Sequence, residues 1–501
     1  MATLSEIFDH TRYSYSYDDL IMLPGFIDFP LEKVNLETHL TDKITLKVPI
    51  LSSPMDTVTE HKLAIQLALQ GGLGIIHNNN SIETQVAEVL KVKRYNNGFI
   101  DNPVSFSPDT TLEIIIKAQK EYGFNSFPIL DQNRRLVGSV SKMEVEFRDL
   151  QTKVADVMKS YHVLPKIHTK SREDWSCGEC SLSEAQKIIK EKKCSRLFVV
   201  DSDRRLISLI TRKDILGALK YPLATKCRST NQLLVGAAVS THLEDRKRIR
   251  ALYTAGVDLL VIDSAQGNSS FQIETIEYIK TNCPKADIMA GNVVTRQQGD
   301  NLVSAGAQIL RVGMGVGSIC TTQKVCGVGR GQASAIVDTQ KCGVPIIADG
   351  GLKNSGDIIK AFALGSAAVM LGSMLAGTDE SPSEYLYEEG FRLKKYRGMG
   401  SLGALKMRLS KGNRYNENSK NDNIAQGVEG SVVCKGPISV YLPYLVASMK
   451  HGFQDLGVKT LDELHEGVQS RKLLFELRSP ASSKEGEVHS LFRFTQTSHL
   501  I

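Results

Sequence analysis

A glycine-rich segment with one cysteine carries the most reactive chemistry in the sequence. It reads RVGMGVGSICTTQ from Arg311 to Gln323, with glycines at 313, 315 and 317 and a cysteine at 320. Glycines let the backbone pass close to a ligand and leave its amides and carbonyls available. A thiol on such a loop can be an exposed nucleophile, so Cys320 is the first candidate for covalent catalysis. The alternative is a glycine-rich turn around a buried cysteine.

Two further segments have the composition of loops that bind phosphate and sugar. ADGG at 348–351 and LGS at 371–373 each follow an apolar run. Glycine amides and the Ser373 hydroxyl can donate hydrogen bonds to phosphate oxygens. The carboxylate of Asp349 would repel phosphate, so sugar hydroxyls are its expected partners. A nucleophile opposite a phosphate site indicates a phosphorylated substrate, for which a nucleotide is the natural candidate.

Short apolar runs ending in Gly, Ser, Asn or Asp recur along the chain and are typical of buried parallel strands. Helix-length segments of mixed polarity separate them, so a strand and a helix alternate. Eight such units predict an α/β fold, a (β/α)8 TIM barrel with active-site loops at the carboxyl ends of its strands. The predicted strands are 49–54, 73–77, 233–239, 258–264, 287–293, 308–314, 345–351 and 367–374.

The spacing of the strands is interrupted once, between the second and the third. About 155 residues intervene there, where one strand–helix unit needs ~25 to 30. Within this stretch DQNRRL at 131–136 and DSDRRL at 201–206 match at an offset of 70 residues, which indicates an internal repeat. The predicted domains are a first barrel segment at 1–101, an insertion at 102–228 with repeats at about 102–158 and 159–228, and a second barrel segment at 229–501.

The repeated insertion resembles a pair of CBS domains, regulatory modules that usually bind adenine nucleotides. In that family a Ser/Thr and an Asp three residues later often hold ribose hydroxyls, and the second repeat has Thr211 and Asp214 at these places. The first repeat has Ser141 and Glu144 instead. The resemblance implies an adenine or guanine nucleotide as ligand. The alternative is a folded spacer that binds nothing.

Composition excludes several classes of protein. The 501 residues carry 61 Lys+Arg and 55 Asp+Glu, a net charge of +6 without a long basic run, so we expect no dedicated nucleic-acid binding. No stretch approaches ~18 uninterrupted apolar residues, and MATLSEIFDH lacks the features of a signal peptide. The nine cysteines are irregularly placed, which indicates free thiols in a reducing compartment instead of a disulfide framework. We therefore expect a cytoplasmic protein without membrane association.

Seven motifs together resemble inosine 5′-monophosphate dehydrogenase. They are SSPMDTVTE (52–60), DSAQGNS (263–269), AGNVVT (290–295), GSICTTQ (317–323), ADGG (348–351), LGSMLAGT (371–378) and KYRGMGS (395–401). The resemblance covers nearly the whole chain and includes a flap at about 402–435 and AQGVEG at 425–430. The tail, with EVHSL at 487–491, is similar to the eukaryotic branch of the family.

The resemblance implies NAD-dependent oxidation of IMP to XMP, the committed step toward guanine nucleotides. Cys320, on a catalytic loop at 311–332, would add to C2 of the purine, and a hydride would leave C2 for NAD+. Water would then hydrolyse the thioimidate. Thr322 would contact that water, and Arg414 and Tyr415 of the flap would serve as the base, an unusual role because free guanidine stays protonated at neutral pH.

The resemblance also assigns binding residues and a homotetramer. For IMP it implies Ser53, Met55, Asn292, Arg311, Ser318, Asp349, Gly350, Gly351, Gly372, Ser373, Tyr396, Arg397, Gly398, Met399, Gly400 and Gln426. For NAD+ it implies Asp263, Ser264, Ala265, Gly313, Met314 and Gly315. For a monovalent cation, usually K+, it implies carbonyls of Gly315, Gly317 and Cys320 and of Glu485, Gly486 and Glu487 from a neighbouring copy.

The closest alternative activity is that of GMP reductase. That enzyme shares the barrel, the nucleophilic cysteine and the phosphate loops, and its cysteine loop resembles CTTQKVCGVGRGQ at 320–332. The insertion, which the reductase normally lacks, and the Arg414–Tyr415 pair, needed when water attacks, favour the dehydrogenase. A more remote alternative is a nucleotide-sensing scaffold whose barrel does not catalyse.

Overall fold

A computed structural model describes residues 13–95, 98–101, 103–169, 179–228, 230–410 and 424–491. The chain divides into two compact units. The first comprises the residues up to Arg94, the short segment Leu223–Thr225 and the residues from Leu233 onward. The second comprises Tyr95–Pro222 and Lys226–Gln232. In sequence, the second unit thus falls between the second and third predicted strands.

The first unit contains an eight-stranded parallel sheet, and all eight predicted strands are present in it. In chain order they are β1 Ile50–Ser52, β2 Gly74–Ile76, β3 Val235–Val239, β4 Leu259–Asp263, β5 Asp287–Val293, β6 Ile309–Val312, β7 Ile346–Asp349 and β8 Ala368–Leu371. From β2 to β8 each strand pairs with the next in chain order, and β8 returns to pair with β1. The TIM-barrel prediction is confirmed.

Backbone hydrogen bonds next to β2 close the barrel between β1 and β2. Ser52 N donates to Leu73 O and Leu73 N donates to Ile50 O, each at 3.1 Å. Every residue of β1, β2 and β3 is buried. Strands buried on both faces read as continuous apolar runs instead of alternating ones, which is why they could be found from sequence.

Helices follow the strands on the outside of the barrel. They are α1 His61–Leu69, α2 Ile82–Lys93, α3 Arg246–Thr254, α4 Ser270–Asn282, α5 Arg296–Ala305, α6 Gln332–Thr339, α7 Ser355–Ala363, α8 Ile438–Asp455 and α9 Leu461–Gln469. Polar side chains set where several of them begin. At α5, Thr295 and Gln298 form a reciprocal capping box, and at α7 the side chain of Asn354 accepts from the amide of Asp357.

The second unit repeats one pattern of elements. Strands Ser126–Leu130 and Leu136–Ser141 and helix Lys142–Val145 form its first half. Strands Arg196–Val200 and Leu206–Thr211 and helix Arg212–Lys220 form its second half, each beginning 70 residues later. The remaining elements are helices Leu112–Tyr122 and Glu179–Glu191 and strands Lys159–Ser160 and Lys166–His168. The internal repeat in the sequence is therefore also a structural repeat.

The predicted ribose-binding pair of the second repeat caps a helix. The carboxylate of Asp214 accepts from both the amide and the hydroxyl of Thr211, the latter at 2.5 Å, and Asp214 is buried. Ser141 and Glu144 make the same capping box in the first repeat. The two pairs thus have equal local roles, and their difference in sequence does not by itself distinguish a nucleotide site from a helix cap.

Smaller elements complete the first unit. Strands Tyr385–Glu388, Phe391–Arg397 and Glu429–Val433 form an antiparallel sheet. Near the chain ends, strand Leu20–Met22 pairs with Phe475–Leu477, and a short helix spans Pro480–Glu485. A hairpin joins Thr38–His39 to Thr45–Leu46. Among the described helices, none is both long and apolar enough to cross a bilayer.

Candidate active site

A cavity of about 800 Å³ opens beside the carboxyl ends of the barrel strands. This volume lies within the range of cofactor and ligand sites, about 300–1,000 Å³. The predicted site residues that line it are Ser53, Met55, Asp263, Ser264, Ala265, Asn292, Arg311, Gly313, Met314, Gly315, Gly317, Ser318, Cys320, Thr322, Asp349, Gly350, Gly351, Gly372, Ser373, Tyr396, Gly398, Met399, Gly400 and Gln426.

Cys320 lies on the loop after β6, next to two hydrogen-bonding side chains. Its Sγ is 3.1 Å from the Thr322 hydroxyl, which donates in turn to Gln426 Oε1 at 3.2 Å. The backbone holds this arrangement, because the amide of Thr321 donates to Gln426 O at 2.9 Å and Cys320 pairs with Gly427. Residues about a hundred positions apart in sequence thus meet around one partly exposed cysteine.

Arg311 joins the two carboxylates of the cavity. Its Nη1 donates to Asp263 Oδ1 at 2.5 Å and its Nε to Asp349 Oδ2 at 2.9 Å. Asn292 Nδ2 donates to the same Asp349 oxygen at 3.0 Å. Burial would lower the pKa of the Arg311 guanidinium, but Asp349 and Asp263 outweigh it and raise that pKa. A permanent cation therefore fixes carboxylates at the ends of β4 and β7 in one geometry.

Glycine at position 313 lets the loop after β6 pass close to the loop after β7. Gly313 has a φ of +141°, and a Cβ placed there would lie 2.1 Å from the carbonyl oxygen of Asp349. An L side chain meets both a conformational penalty and a backbone clash at this position. The first glycine of the segment is thus required by the contact between the two loops.

Small and hydroxyl-bearing side chains surround the end of β8. A Cβ on Gly372 would lie 2.9 Å from the Tyr396 hydroxyl and 3.4 Å from Met55 Sδ. Burial raises the pKa of Tyr396 to about 12, while a hydrogen bond with Ser318 partly offsets that effect. The phenol is therefore a neutral O–H group at physiological pH. A neutral hydroxyl can donate a hydrogen bond to an anion, whereas a phenolate would repel the anion.

Arg397 is the predicted substrate residue that does not line the cavity. Its guanidinium donates to Asp56, with Nε 3.1 Å from Oδ1 and Nη2 2.6 Å from Oδ2. Tyr396 and Arg397 are neighbours in strand Phe391–Arg397, and successive side chains of a strand point to opposite faces. Because Tyr396 faces the cavity, Arg397 faces away from it. The structure therefore places the Arg397 side chain against Asp56, and its role toward the substrate stays a prediction.

The Asp56 carboxylate connects three loops at the rim of the barrel. It also accepts from Asn79 Nδ2 at 2.7 Å, and the amide of Arg397 donates to the Thr57 hydroxyl at 3.3 Å. Burial would raise the pKa of Asp56, but the hydrogen bonds from Arg397 and Asn79 outweigh it and lower that pKa. This network fixes the point from which the loop Gly398–Gly400 begins.

Lys435 lines the cavity and was not anticipated from sequence. Its Nζ donates to the carbonyl of Met374 at 3.1 Å and lies 3.2 Å from the Tyr441 hydroxyl. Burial lowers its pKa to about 8. Its local sequence, CKGP, has no pattern typical of a ligand site, and only the tertiary fold brings this lysine to the cavity.

The remaining predicted site residues either fall outside the described residues or do not line the cavity. Arg414 and Tyr415 are outside the described residues. Glu485, Gly486 and Glu487, assigned to a neighbouring copy's cation site, are at the end of the helix Pro480–Glu485 and do not line this chain's cavity. Gly486 has a φ of −76°, and Glu487 is not among the non-glycine residues with positive φ, so glutamate at 487 is compatible with the backbone there.

Comparisons with known proteins agree on one family. The model of the IMP dehydrogenase / GMP reductase domain matches residues 14–489. Inosine-5′-monophosphate dehydrogenase of Schizosaccharomyces pombe is 46% identical over 487 residues, covering 94% of this chain and 91% of the relative. The Toxoplasma gondii enzyme of the same name is 41% identical over 549 residues, covering 98% of both chains.

Similar solved structures carry the other activity of the family. A GMP reductase variant from Trypanosoma brucei, in complex with guanosine 5′-monophosphate, aligns with a TM-score of 0.80 and 31% identity. The alignment covers 96% of this chain and 99% of that one. At this coverage most of the insertion must also be matched in the reductase. The insertion therefore does not separate dehydrogenase from reductase, contrary to the argument from sequence.

Proposed function

Because the chain belongs to the IMP dehydrogenase / GMP reductase family, we propose that it oxidises IMP to XMP with NAD+. The observation that carries the proposal is the position of Cys320 in the cavity, beside Thr322 and Gln426 and near the Arg311-bridged carboxylates. The identity of 40–46% to dehydrogenases over nearly the whole chain, against 31% to the reductase, favours oxidation of IMP.

The substrate nucleotide would lie between Cys320 and the loops after β7 and β8. Asp349 would accept from ribose hydroxyls, while Ser373, the glycine amides around it and the Tyr396 hydroxyl would donate to the phosphate. Gln426 can offer the purine both a donor and an acceptor. Lys435 would add positive charge to the wall of the same cavity.

The donor set on the opposite wall fits a dinucleotide. Asp263 is held by Arg311 and still about one-fifth exposed, so its carboxylate can accept from ribose hydroxyls of NAD+. Ser264, Ala265 and the loop Gly313–Gly315 would pack beside it. NAD+, when bound, supplies the acceptor for the hydride that leaves the purine.

Cys320 would act twice in the reaction. As thiolate it adds to C2 of IMP and forms a C–S bond, which makes C2 tetrahedral and able to release hydride. Loss of hydride leaves a thioimidate bonded to Sγ. Water then adds to C2 and gives up its proton to a base, and the C–S bond breaks to release XMP and restore the thiolate. Thr322, whose hydroxyl is 3.1 Å from Sγ, would hold that water.

One experiment tests this activity against its alternatives. Purified protein is incubated with IMP and NAD+, and NADH is followed by its absorbance. A dehydrogenase produces NADH continuously, a GMP reductase instead consumes NADPH in the presence of GMP, and a scaffold does neither. NADPH consumption with GMP, and none of the first reaction, would refute the proposal.

We assign hydrolysis to the flap residues Arg414 and Tyr415 on the basis of the family resemblance. If Arg414 serves only hydrolysis, Arg414→Ala should lower steady-state turnover by roughly a hundredfold, the range of acid–base catalysis. It should still give a burst of one NADH per site, because hydride transfer precedes hydrolysis. Rapid-mixing absorbance measures both rates. An equal fall in burst rate and turnover would contradict the assignment, and Lys411→Ala in the same sequence segment is the control.

The Asp56–Arg397 pair is expected to position the loop Gly398–Gly400 for substrate. Asp56→Asn should raise the KM for IMP by about tenfold with a much smaller change in kcat, because a displaced loop weakens binding before it affects the thiol. Asp245→Asn is the matched control, since Asp245 pairs with Arg248 at 3.0 Å and neither residue lines the cavity. A normal KM in a folded Asp56→Asn protein would show that the pair is only structural.

We also propose the cation site and the homotetramer of the family. The carbonyl of Gly315 accepts from Gln323 Nε2 at 3.1 Å and that of Gly317 from the amide of Cys320 at 2.9 Å, so each retains a lone pair for a cation. Hard cations suit such carbonyl oxygens. A neighbouring copy would supply the carbonyls of Glu485, Gly486 and Glu487.

The insertion is proposed to bind an adenine or guanine nucleotide and to regulate the barrel. Deleting residues 95–222, with a short Gly/Ser linker to the barrel segment Leu223–Thr225, should leave kcat within about threefold, because the cavity is built from barrel loops. The same deletion should abolish any response of activity to ATP or GTP. Assays of intact and truncated protein with each nucleotide measure this. A truncated protein that folds but has no activity would contradict the division.

A further inference from the structure

Three potential metal ligands meet away from the cavity, where α1 begins beside α2. Glu60 directly precedes α1, His61 is its first residue, and Glu88 lies within α2. Their ligand atoms all lie within 4.8 Å of one another. His61 Nδ1 is 2.6 Å from Glu88 Oε2, and Glu88 is buried. The chemistry proposed above uses none of these side chains.

A buried histidine directs an unused N–H group at this cluster. His77 is 3% exposed, and its Nδ1 accepts from the amide of Asn79 at 3.1 Å, so Nε2 carries the ring proton. Nε2 has no hydrogen-bond partner among the described residues and stops 3.6 Å from Glu60 Oε1. A donor left unpaired in the interior costs stability, unless its acceptor moves toward it. Histidine N–H groups that support a ligating carboxylate are typical neighbours of metal sites.

We propose that Glu60, His61 and Glu88 bind a divalent transition-metal ion, with His77 supporting the Glu60 carboxylate. One imidazole nitrogen and two carboxylate oxygens suit Zn²⁺, Mn²⁺, Fe²⁺ or Co²⁺. Three protein ligands leave at least one position for water. The site differs in place and in donor type from the carbonyl cage proposed for K+.

The geometry needs only a small adjustment to admit the ion. His61 Nδ1 and Glu88 Oε2 are 2.6 Å apart, whereas two ligands at about 2.1 Å from a tetrahedral ion lie about 3.4 Å apart, so the two atoms must separate by less than an ångström. The ion would replace the hydrogen bond between these two side chains. Glu60 and His61 are both partly exposed, which gives the ion a path from solvent.

Lys91 competes with the ion for Glu88. Its Nζ is 2.6 Å from Glu88 Oε1, and its side chain is 52% exposed. The lysine therefore occupies Oε1, and its charge opposes the cation. Oε2 accepts from the amide of His61 at 2.8 Å and keeps its second lone pair for the ion once His61 Nδ1 has moved away. Removing Lys91 should tighten metal binding, whereas an ion-pair cluster without a metal function would bind no ion in either form. The effect of Lys91 removal on metal affinity therefore separates a metal site from an ion-pair cluster.

Titration of the full-length protein with Co²⁺ tests the site. Cobalt bound by nitrogen and oxygen shows visible d–d bands without the near-ultraviolet charge-transfer band of a thiolate ligand, which separates this site from the cysteines. We expect one saturable Co²⁺ per chain. His61→Ala should weaken binding by more than about tenfold, and His77→Leu by about tenfold. Lys91→Ala should tighten it about threefold.

Controls keep the result interpretable. His39→Ala removes an exposed histidine that contacts Thr45 and should leave Co²⁺ affinity unchanged. Thermal melting without metal shows whether each variant folds. The proposal fails if the wild-type protein gives no saturable Co²⁺ spectrum, if a thiolate band dominates, or if His61→Ala binds as tightly as wild type. Because the readout is metal binding, these outcomes are independent of the IMP oxidation assay.

Discussion

Cys320→Ala is expected to lower IMP-dependent NADH formation at least about a thousandfold while leaving IMP affinity within about tenfold. The thiolate makes the covalent bond, whereas phosphate and ribose contacts elsewhere in the cavity provide most of the binding energy. Stopped-flow absorbance measures turnover, and equilibrium titration with IMP measures affinity.

Cys326→Ala is the matched control for this prediction. Cys326 ends the short helix Thr322–Cys326 only six residues beyond Cys320, but it is exposed and does not line the cavity. Its loss should leave turnover within about threefold, as for most surface substitutions. A Cys320→Ala protein that keeps more than a few per cent of wild-type turnover would remove covalent catalysis from the mechanism.

The barrel was predictable because burial and hydrogen bonding act locally on its strands. Runs such as 258–264 and 345–351 are covered on both faces, so their apolar residues are continuous and end where the chain turns into a loop. Asp263, which the family resemblance assigns to NAD+, and Asp349 are the last residues of β4 and β7. In a parallel barrel the carboxyl ends of all strands lie at the same face, so residues at these ends are expected to lie close together.

What could not be predicted depends on side-chain direction and distant contacts. Arg397 follows Tyr396 directly, but successive side chains of a strand point to opposite faces, so Tyr396 lines the cavity and Arg397 contacts Asp56. Thr211 and Asp214 matched a ribose-binding pattern, but the same spacing is that of a helix capping box. Lys435 reaches the cavity only through tertiary folding, and no spacing in the sequence indicates it.

The insertion is a feature of the fold that does not by itself identify the activity. Its repeat was visible as two DxxRRL segments and reappears as paired elements 70 residues apart. Its presence does not argue against GMP reductase, because a reductase aligns with 96% of the chain. An insertion of this kind can accompany either chemistry, so the residues around Cys320 and a direct assay must decide the activity.

Arg311→Met is expected to reduce kcat/KM by about a thousandfold, because both proposed ribose sites would lose a fixed carboxylate and a hydrogen bond to a charged group contributes about 1.5–3 kcal/mol. Arg311 is 6% exposed and serves two carboxylates at once. Without it Asp263 and Asp349 would repel each other and turn away from the positions proposed for the two ribose groups. Affinities for IMP and NAD+ should therefore fall together, which calorimetric titration of each ligand can measure.

Two comparisons distinguish this effect from simple loss of stability. Arg248→Met removes another buried arginine, 8% exposed and paired with Asp245, and should lower the melting temperature without changing either ligand affinity. Arg311→Lys keeps one positive charge but lacks the planar fork that reaches both carboxylates, so it should fall between wild type and Arg311→Met. If Arg311→Met weakens binding of only one ligand, the guanidinium supports a single ribose site and does not couple the two.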